Sequence, residues 1–200
     1  MTGRKPSRRR WTISACAFLR LVELYDNTAS LQDRTVDTGV LKPPLARQYA
    51  AGGYVGRASG RVVRRAPNAG LSALRQPALR VCRSSSEGDV NARVWIRVRE
   101  VEQSLSLIDQ ILRPASRRPD TRCEVPLGGE VREGMAIVEG FRGDVLVWLR
   151  LRDGLIERCH MRDPSWFQWP LLEAVIENNI VADFPLCNKS FNCSYSGHDL

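Results

Sequence analysis

Residues 138–148 read VEGFRGDVLVW, in which a turn containing Arg142 and Gly143 leads directly into a run of apolar residues. On both sides of this turn apolar residues recur at every second position, through MAIVEG (135–140) and DVLVWLRLR (144–152). A period of two is typical of strands. The stretch therefore predicts two strands, with Arg142 either in a solvated turn or facing a pocket.

A hairpin follows directly from this stretch. The second strand runs into Asp153-Gly154 and then into another alternating segment, LIERCHM (155–161). Asp-Gly between two such segments is a strong signal for a tight turn, because both residues tolerate positive φ. We predict a hairpin with arms at 144–152 and 155–161, within a small antiparallel sheet.

Upstream of the sheet, the sequence predicts a long amphipathic helix that ends before Pro114. Its apolar residues are spaced alternately by four and three positions, which places them on one stripe of a helix about five turns long. They are Val94, Val98, Val101, Leu105, Ile108 and Leu112. We expect this stripe to face the core.

Downstream of the hairpin, the sequence predicts a short helix in WPLLEAVIENN (169–179), with Pro170 in its first turn and a turn at 163–165 before it. The tail, residues 180–200, is aromatic and polar without a charge run, which favours docking onto the core. The predicted fold class is α+β: a long amphipathic helix, a small antiparallel β-hairpin sheet and a short C-terminal helix.

The front half of the chain shows no sustained period. We assign residues 1–20 to a basic tail expected to be disordered, 21–86 to a glycine- and arginine-rich loop region, and 87–200 to the ordered α+β region. Within the loop region, residues 61–88 are rich in Arg, Pro, Ser and Gly and are interpreted as a linker or a poorly packed loop. We expect this front half to be loosely packed.

The net charge of +8 belongs to the front half. Residues 1–86 hold 16 Lys or Arg against 4 Asp or Glu, whereas residues 87–200 hold 14 against 18. A basic surface raises the question of nucleic acid. The arginines lack the interleaved aromatic residues of a single-strand binding platform, so we expect no nucleic-acid partner.

The cysteines and histidines do not form a recognisable site. The six cysteines show no CxxC and no Cys/His pair at zinc spacing, which favours reduced structural thiols. His160 and His198, the only histidines, lack the carboxylate and nucleophile spacing of a hydrolase. No apolar run reaches the roughly 18 residues of a spanning helix, and the first twenty residues resemble a basic tail more than a signal peptide.

Several segments in a fixed order carry a family resemblance. They are LQDRTVDTGVL, GGYVGRASGR, EGDVNARVWIRVREVEQSLSLIDQIL, VEGFRGDVLVWLRL and RDPSWFQWPLLEAVIENNIVADFPLCNKSFNCSYSGHDL. Together they resemble the C-terminal part of the large subunit shared by NADH:quinone oxidoreductase (its D-type subunit) and the formate-hydrogenlyase type of nickel-iron hydrogenase. The resemblance runs from about residue 21 to residue 200.

The resemblance implies roles for four residues. In the family, a motif of the form E-x-x-R-G leads into the strand, as Glu139, Arg142 and Gly143 do here. In the hydrogenase members the matching arginine lies over the metal centre. A guanidinium in a partly dry pocket supplies a fixed positive charge and several donors. We therefore predict Arg142 and Glu139 as pocket residues, with Ser165 and Trp166 forming its wall.

The resemblance also implies what this chain lacks. Hydrogenase members hold nickel and iron with two cysteine pairs, the second in a C-terminal D-P-C-x-x-C arrangement, because soft thiolates suit that metal. Alignment of the C-terminus places Ser194 and Gly197 at those two cysteine positions. Residues 1–20 supply no early pair. We therefore predict no metal site and no nickel-iron centre, in a chain that resembles the back half of a redox subunit.

The partners implied are those of an assembled complex. The chain would bind no cofactor directly, while quinone and NAD(H) would belong to the complex, and electrons would arrive from an iron-sulfur small subunit. The implied location is cytoplasmic, peripheral to the membrane, with indirect contact to a membrane arm.

Three hypotheses therefore stand. The first is an NAD(P)H:quinone oxidoreductase or hydrogenase-type subunit, with the isolated chain inactive. The second is a truncated, non-catalytic assembly or binding module. The third is a basic nucleic-acid-binding protein, motivated only by the front-half charge.

Overall fold

The structure is a computed structural model that describes residues 8–61, 85–112 and 129–199. Its helices are α1 (Arg8–Asp26), α2 (Ala29–Thr35), α3 (Pro43–Gln48), α4 (Gly53–Ala58), α5 (Val90–Leu112), α6 (Ser165–Ile176) and α7 (Phe184–Phe191). Its strands are β1 (Arg132–Glu139), β2 (Asp144–Arg152) and β3 (Leu155–Arg162). The predicted helix end at Pro114 lies outside the described residues, as do most of the predicted linker and two of the six cysteines.

The sheet confirms the prediction from residues 138–148. β1, β2 and β3 form one antiparallel sheet in that order, with Val138 opposite Val145 and Trp148 opposite His160. Asp153 and Gly154 both have positive φ, as the tight turn requires. A bulge in β3 shifts the register between Arg150 and Leu151. The α+β fold class is confirmed.

The long helix is confirmed, but the predicted apolar stripe is not its buried face. Ala92, Arg93 and Ile96 are buried residues of α5, whereas Val101 is 40% exposed. The predicted stripe was wrong because hydrophobic spacing does not consider a buried arginine. Arg93 lies in the core, where its guanidinium donates hydrogen bonds to neighbouring oxygen atoms. Hydrophobic spacing alone therefore selected the neighbouring side of the helix.

The C-terminal helix begins earlier than predicted. α6 starts at Ser165 rather than Trp169, so Pro170 lies inside the helix instead of in its first turn. Asp163 promotes this earlier start because its Oδ1 accepts a hydrogen bond from the Ser165 amide at 2.8 Å. The tail that follows forms α7, whose Cys187 and Phe191 are fully buried, so its predicted docking is confirmed.

The front region is more ordered than the sequence indicated. Residues 8–20, predicted as tail, belong to α1, and three short helices occupy the predicted loop region. Tyr54 and Val55 of α4 are fully buried in the same core as Ile96, Leu171 and Phe191. The described part of the front half is therefore packed, because it supplies core side chains that short-range patterns did not reveal.

The two glycine motifs meet in a close backbone crossing. Gly53 has φ of +56°, and a Cβ there would lie 2.5 Å from the carbonyl oxygen of Phe141 and closer still to the Arg142 carbonyl carbon. A Cβ on Gly52 would lie 2.9 Å from the Gly143 Cα atom. Only glycine allows this approach. The crossing fixes the turn that carries Arg142 against the start of α4.

Replacement of Gly53 by alanine tests this crossing. We expect Gly53→Ala to lower the free energy of unfolding by about 2 kcal/mol or more, because it adds both a strained φ and a backbone clash. The matched control is Gly134→Ala, where nothing lies within 4 Å of the added Cβ. Thermal unfolding of the full chain measures both, and equal melting temperatures for the two variants would contradict the crossing.

Candidate functional site

Three of the four predicted site residues bind the same C-terminal segment, residues 192–198. Arg142 donates from Nε to the Asn192 carbonyl oxygen at 2.5 Å. Ser165 accepts at Oγ from the Ser194 amide at 2.9 Å. Trp166 donates from Nε1 to the Gly197 carbonyl oxygen at 2.8 Å. The structure thus brings the turn before β2 and the first turn of α6 together on one segment.

A buried glutamine, Gln168, contacts both the turn that carries Arg142 and the C-terminal segment. Its side-chain Nε2 donates to the Arg142 carbonyl oxygen at 2.6 Å, and its Oε1 lies 3.8 Å from the Cys193 Sγ atom. Gln168 is 1% exposed, so its amide is available only to these partners and not to bulk water. The position of the Arg142 backbone is therefore set by a side chain of α6.

Glu139 does not reach the C-terminal segment. Its Oε1 instead forms an ion pair with Arg57 Nη1 of α4 at 2.9 Å. Arg57 also bonds Glu100 of α5, with Nε and Nη2 both 2.5 Å from Oε1. The Arg57 side chain is 3% exposed, and the two carboxylates are 12% and 15% exposed. Glu139 therefore joins β1 to α4 and α5 through one buried guanidinium.

Two further buried polar groups hold α7 in place. Tyr54 donates from its hydroxyl to the carbonyl oxygens of Ser190 and Phe191 at 2.7 and 2.6 Å. Arg93 donates to Ser190 Oγ, Gly88 O and Gly39 O at 2.7–2.9 Å, and its guanidinium lies 4.6 Å from the Phe191 ring centroid. The tyrosine bonds occupy carbonyls at the end of α7 that its own helix leaves open.

Burial governs the ionisation of this region. It raises the pKa of the Cys193 thiol to about 11, against the opposing effect of the nearby Arg142 charge. It also raises the pKa of Cys187 and of Tyr54, and lowers the pKa of Arg93 to about 10. Near neutral pH both thiols are protonated and Arg93 is charged. Cys187 and Cys193 are therefore neutral buried thiols near neutral pH.

The C-terminal segment has no thiol at the two positions where the family resemblance places metal-binding cysteines. Ser194 and Gly197 stand where that resemblance places cysteines, and the Ser194 hydroxyl already accepts from the Gly197 amide at 3.0 Å. A Cβ on Gly197 would lie 2.8 Å from Asp163 Cγ. Within the described ranges, no group of three His, Cys, Asp or Glu side chains is placed to hold a metal ion.

Sequence reasoning missed Arg57, Tyr54, Arg93 and Gln168. Arg57 and Tyr54 lie in the glycine-rich GGYVGRASGR segment, where the glycines indicated a loop and concealed a buried helix. A signal was present in that motif, because glycines spaced closely around an arginine are typical of tight backbone packing as well as of loops. Gln168 carried no pattern of its own.

The chain has relatives among respiratory and hydrogenase proteins. Residues 15–125 match the family model described as the respiratory-chain NADH dehydrogenase, 49 Kd subunit. Formate hydrogenlyase subunit 5 of Escherichia coli (strain K12) is 29% identical over 90% of this chain and 31% of that protein. The carbon monoxide-induced hydrogenase of Rhodospirillum rubrum is 30% identical over 86% of this chain and 47% of that protein.

A quinone-reductase protein is similarly related. The D subunit of the NADH-quinone oxidoreductase of Desulfotalea psychrophila (strain LSv54 / DSM 12343) is 29% identical over 80% of this chain and 44% of that protein. The chain thus spans less than half the length of these relatives. By structure, it resembles a chain of the membrane-bound sulfane sulfur reductase, an archaeal respiratory membrane complex, with a TM-score of 0.76 and 23% identity over 98% of this chain and 56% of that chain.

Removal of the bridging guanidinium tests its structural role. We expect Arg57→Ala to lower the free energy of unfolding by about 3 kcal/mol or more, because two largely buried carboxylates lose the guanidinium that both of them bind. Arg152→Ala is the control: Arg152 is 52% exposed and pairs with Glu157 on the surface, so its loss should cost about 0.5 kcal/mol or less. Urea unfolding compares the two, and similar midpoints would argue against the bridge.

Thiol labelling tests the burial of the two C-terminal cysteines. In the native full chain near pH 7.5, we expect the exposed Cys16 and Cys159 to be alkylated at least about 100-fold faster than Cys187 and Cys193. Peptide mass spectrometry resolves each position.

The same burial makes stability depend on pH. The unfolded thiol has a pKa near about 8.5, and the folded Cys193 has a pKa of about 11. The stability that the buried neutral thiol contributes is therefore present below about pH 8.5 and is lost as the pH rises from about 8.5 to about 11. Fast labelling of Cys193 would contradict this arrangement.

Proposed function

Because the chain belongs to the family of the respiratory-chain NADH dehydrogenase 49 Kd subunit, we propose that it is a large-subunit-like component of a membrane-associated electron-transfer complex. The complex is of the NAD(P)H:quinone oxidoreductase or hydrogenase type. Within it the chain supplies pocket and partner contacts, and electrons come from an iron-sulfur small subunit. Quinone and NAD(H) belong to the assembled complex.

The observation that carries this proposal is the anchoring of Arg142. Its Nε donates to the Asn192 carbonyl oxygen and its own carbonyl oxygen accepts from Gln168, so the side chain and the backbone are each held by one hydrogen bond. Among the described residues, its Nη groups make no hydrogen bond, which leaves those donors available to a ligand. An anchored cation suits chemistry in which negative charge develops on an acceptor, because it needs little reorganisation.

A second cation supports the same electrostatic role. The Arg97 guanidinium of α5 lies 5.4 Å from the Phe141 ring centroid and 5.5 Å from that of Tyr54. Phe141 is 47% exposed and directly precedes Arg142. An aromatic ring that lies beside one guanidinium group and directly precedes a second arginine in the sequence favours a flat, electron-accepting ligand such as a quinone ring, which can stack and accept hydrogen bonds.

A non-catalytic assembly module is the second candidate. The observation that favours it is the closed C-terminal segment, in which Ser165, Trp166 and Ser194 use their polar groups on one another and on Gly197. Such a segment positions Arg142 without contributing a reactive group. In this candidate the complex assembles with the chain but does not depend on Arg142 for turnover.

The proposed location is the surface of a membrane, in contact with membrane-embedded partners. In the described part of the chain, no helix combines the length and apolar character needed to cross a bilayer. The chain would be attached to the membrane through contacts with other subunits. In that case it migrates as part of a large assembly on a native gel. Native gel electrophoresis of solubilised host membranes, blotted for this chain, tests that requirement directly.

Substitution of Arg142 within the assembled complex separates the two candidates. We expect Arg142→Ala to lower kcat for quinone reduction or hydrogen turnover by about 100-fold, in line with the loss of an oriented charge stabiliser, while the chain still migrates in the complex. Arg142→Lys keeps the charge but not the fork of donors, so an intermediate rate is expected. Arg47→Ala, on the exposed surface of α3, is the control.

Two outcomes contradict the proposal. Unchanged turnover in an assembled Arg142→Ala complex would favour the non-catalytic module. Migration of the parent chain only as a small free species would remove the complex-subunit proposal itself. Thermal unfolding of each purified variant distinguishes loss of turnover from loss of the Asn192 contact.

A further inference from the structure

The two faces of the β-sheet differ sharply in chemistry. The strand register places Ala136, Val147 and Met161 side by side, with Gly134, Leu149 and Cys159 beside one another on the same face. We call this the apolar face, and define it by Ala136, Val138, Val147, Leu149, Cys159 and Met161. It carries one charged residue, Arg132, at the start of β1.

The opposite face carries the ion pairs of the sheet. Arg150 lies 3.5 Å from Glu133 and 3.1 Å from Glu157, and Arg152 lies 3.0 Å from Glu157. This charged face also contacts α6: the His160 and Trp166 rings are 6.1 Å apart, and the Arg162 guanidinium lies 4.9 Å from the Phe167 centroid. Helix α6 therefore meets the sheet on its charged face.

The outer strands of the apolar face are exposed, whereas Val147 and Leu149 of the central strand are half-buried. Val138 is 57% exposed and Met161 is 42% exposed, and Ile156, which continues this face past the bulge, is 63% exposed. A sheet normally packs its apolar face on the core. Here helix α6 contacts the other face, which makes the apolar face a candidate surface for another element.

The size of the face argues against a stable dimer of this chain formed through the face alone. Three strands of about eight residues span roughly 14 Å by 26 Å, or roughly 350 Å². A stable protein dimer buries about 800 Å² on each partner. The same dimensions match one helix, which is about 10 Å wide and covers 26 Å with about 17 residues.

The charge of the face limits which helix fits. The two long stretches outside the described residues are rich in arginine, with five in residues 62–84 and four in 113–128. Burial of these charges against a face that offers no carboxylate would be unfavourable. The occupant must be uncharged across its contact surface, and an acidic group at one end would complement Arg132.

We propose that the apolar face docks a single uncharged helix of a neighbouring subunit, with an acidic group at one end of that helix opposite Arg132. This inference rests on the proposed function, because it requires the chain to be part of a complex. The contact combines a central apolar strip with one ion pair at its rim, which is the arrangement of a specific protein interface. Cys159 lies within the covered area.

A pair of methionines provides a matched test. Met161 lies on the apolar face, while Met135 lies on the charged face in the adjacent cross-strand row and is 66% exposed. In host membranes, we expect Met161→Glu to reduce the fraction of chain in the complex by at least about tenfold, because the carboxylate would be buried without a partner. Met135→Glu should assemble like the parent, and both purified variants should melt like the parent.

Cysteine protection gives a second readout that does not depend on a variant. We expect N-ethylmaleimide to label Cys159 at least about tenfold more slowly in the assembled complex than in the purified chain, because covered thiols react slowly. Labelling after denaturation provides the reference for full accessibility. Slow labelling in the complex together with failed assembly of Met161→Glu is the expected result.

Each other outcome overturns the inference. Assembly of Met161→Glu with Cys159 still labelled in the complex leaves the proposed function intact and removes the docking face. A purified Met161→Glu chain that melts below Met135→Glu shows that the chain covers the face itself, and a dimer that Met161→Glu dissociates shows a second copy. A parent chain that never enters a complex overturns both proposals.

Discussion

One buried guanidinium connects the three elements on which the rest of the molecule is built. Arg57 leaves α4 and meets carboxylates from α5 and β1, at 3% exposure and with short contacts to both. Its charge must be compensated there, since an unpaired buried cation would cost several kcal/mol. The position of the strand that ends at Glu139 is therefore fixed relative to the helices before the turn at residues 140–143 begins. The turn then sets the backbone position of Arg142.

The glycine crossing and the arginine bridge work on the same junction from two sides. Gly52 and Gly53 let the backbone before α4 pass against Phe141 and Gly143, while Arg57, one turn later, binds the strand that leads into them. The close backbone packing limits how far the turn can slide along α4, and the ion pairs of Arg57 limit how far β1 can rotate relative to α4. The guanidinium of Arg142 projects from this fixed junction towards Asn192. The junction fixes the Arg142 backbone, and the bond from Nε to Asn192 orients its side chain.

The local elements could be predicted from sequence, but the pairing of distant buried charges could not. The alternation in residues 135–161 predicted the strands and the Asp153-Gly154 turn, because side chains on a pleated strand alternate between faces. The resemblance predicted the family, and the structure places Arg142, Ser165 and Trp166 on one segment. It did not predict that Glu139 would bind Arg57, because residues 82 positions apart share no local period. The buried face of α5 was missed for a different reason: Arg93 is a charged residue in the core, and hydrophobic spacing does not select a charged position as buried.

The C-terminal segment is held in place by hydrogen bonds and by core packing. Where the resemblance places metal-binding thiolates, this chain has a hydroxyl and a hydrogen, and the segment is held by bonds from Ser165, Trp166 and Arg142. Each neutral hydrogen bond contributes on the order of 1 kcal/mol, and the buried Cys193 and Phe191 add core packing beside Tyr54 and Gln168. The segment is therefore held by hydrogen bonds and core packing together, and its Asn192 carbonyl oxygen orients the Arg142 guanidinium.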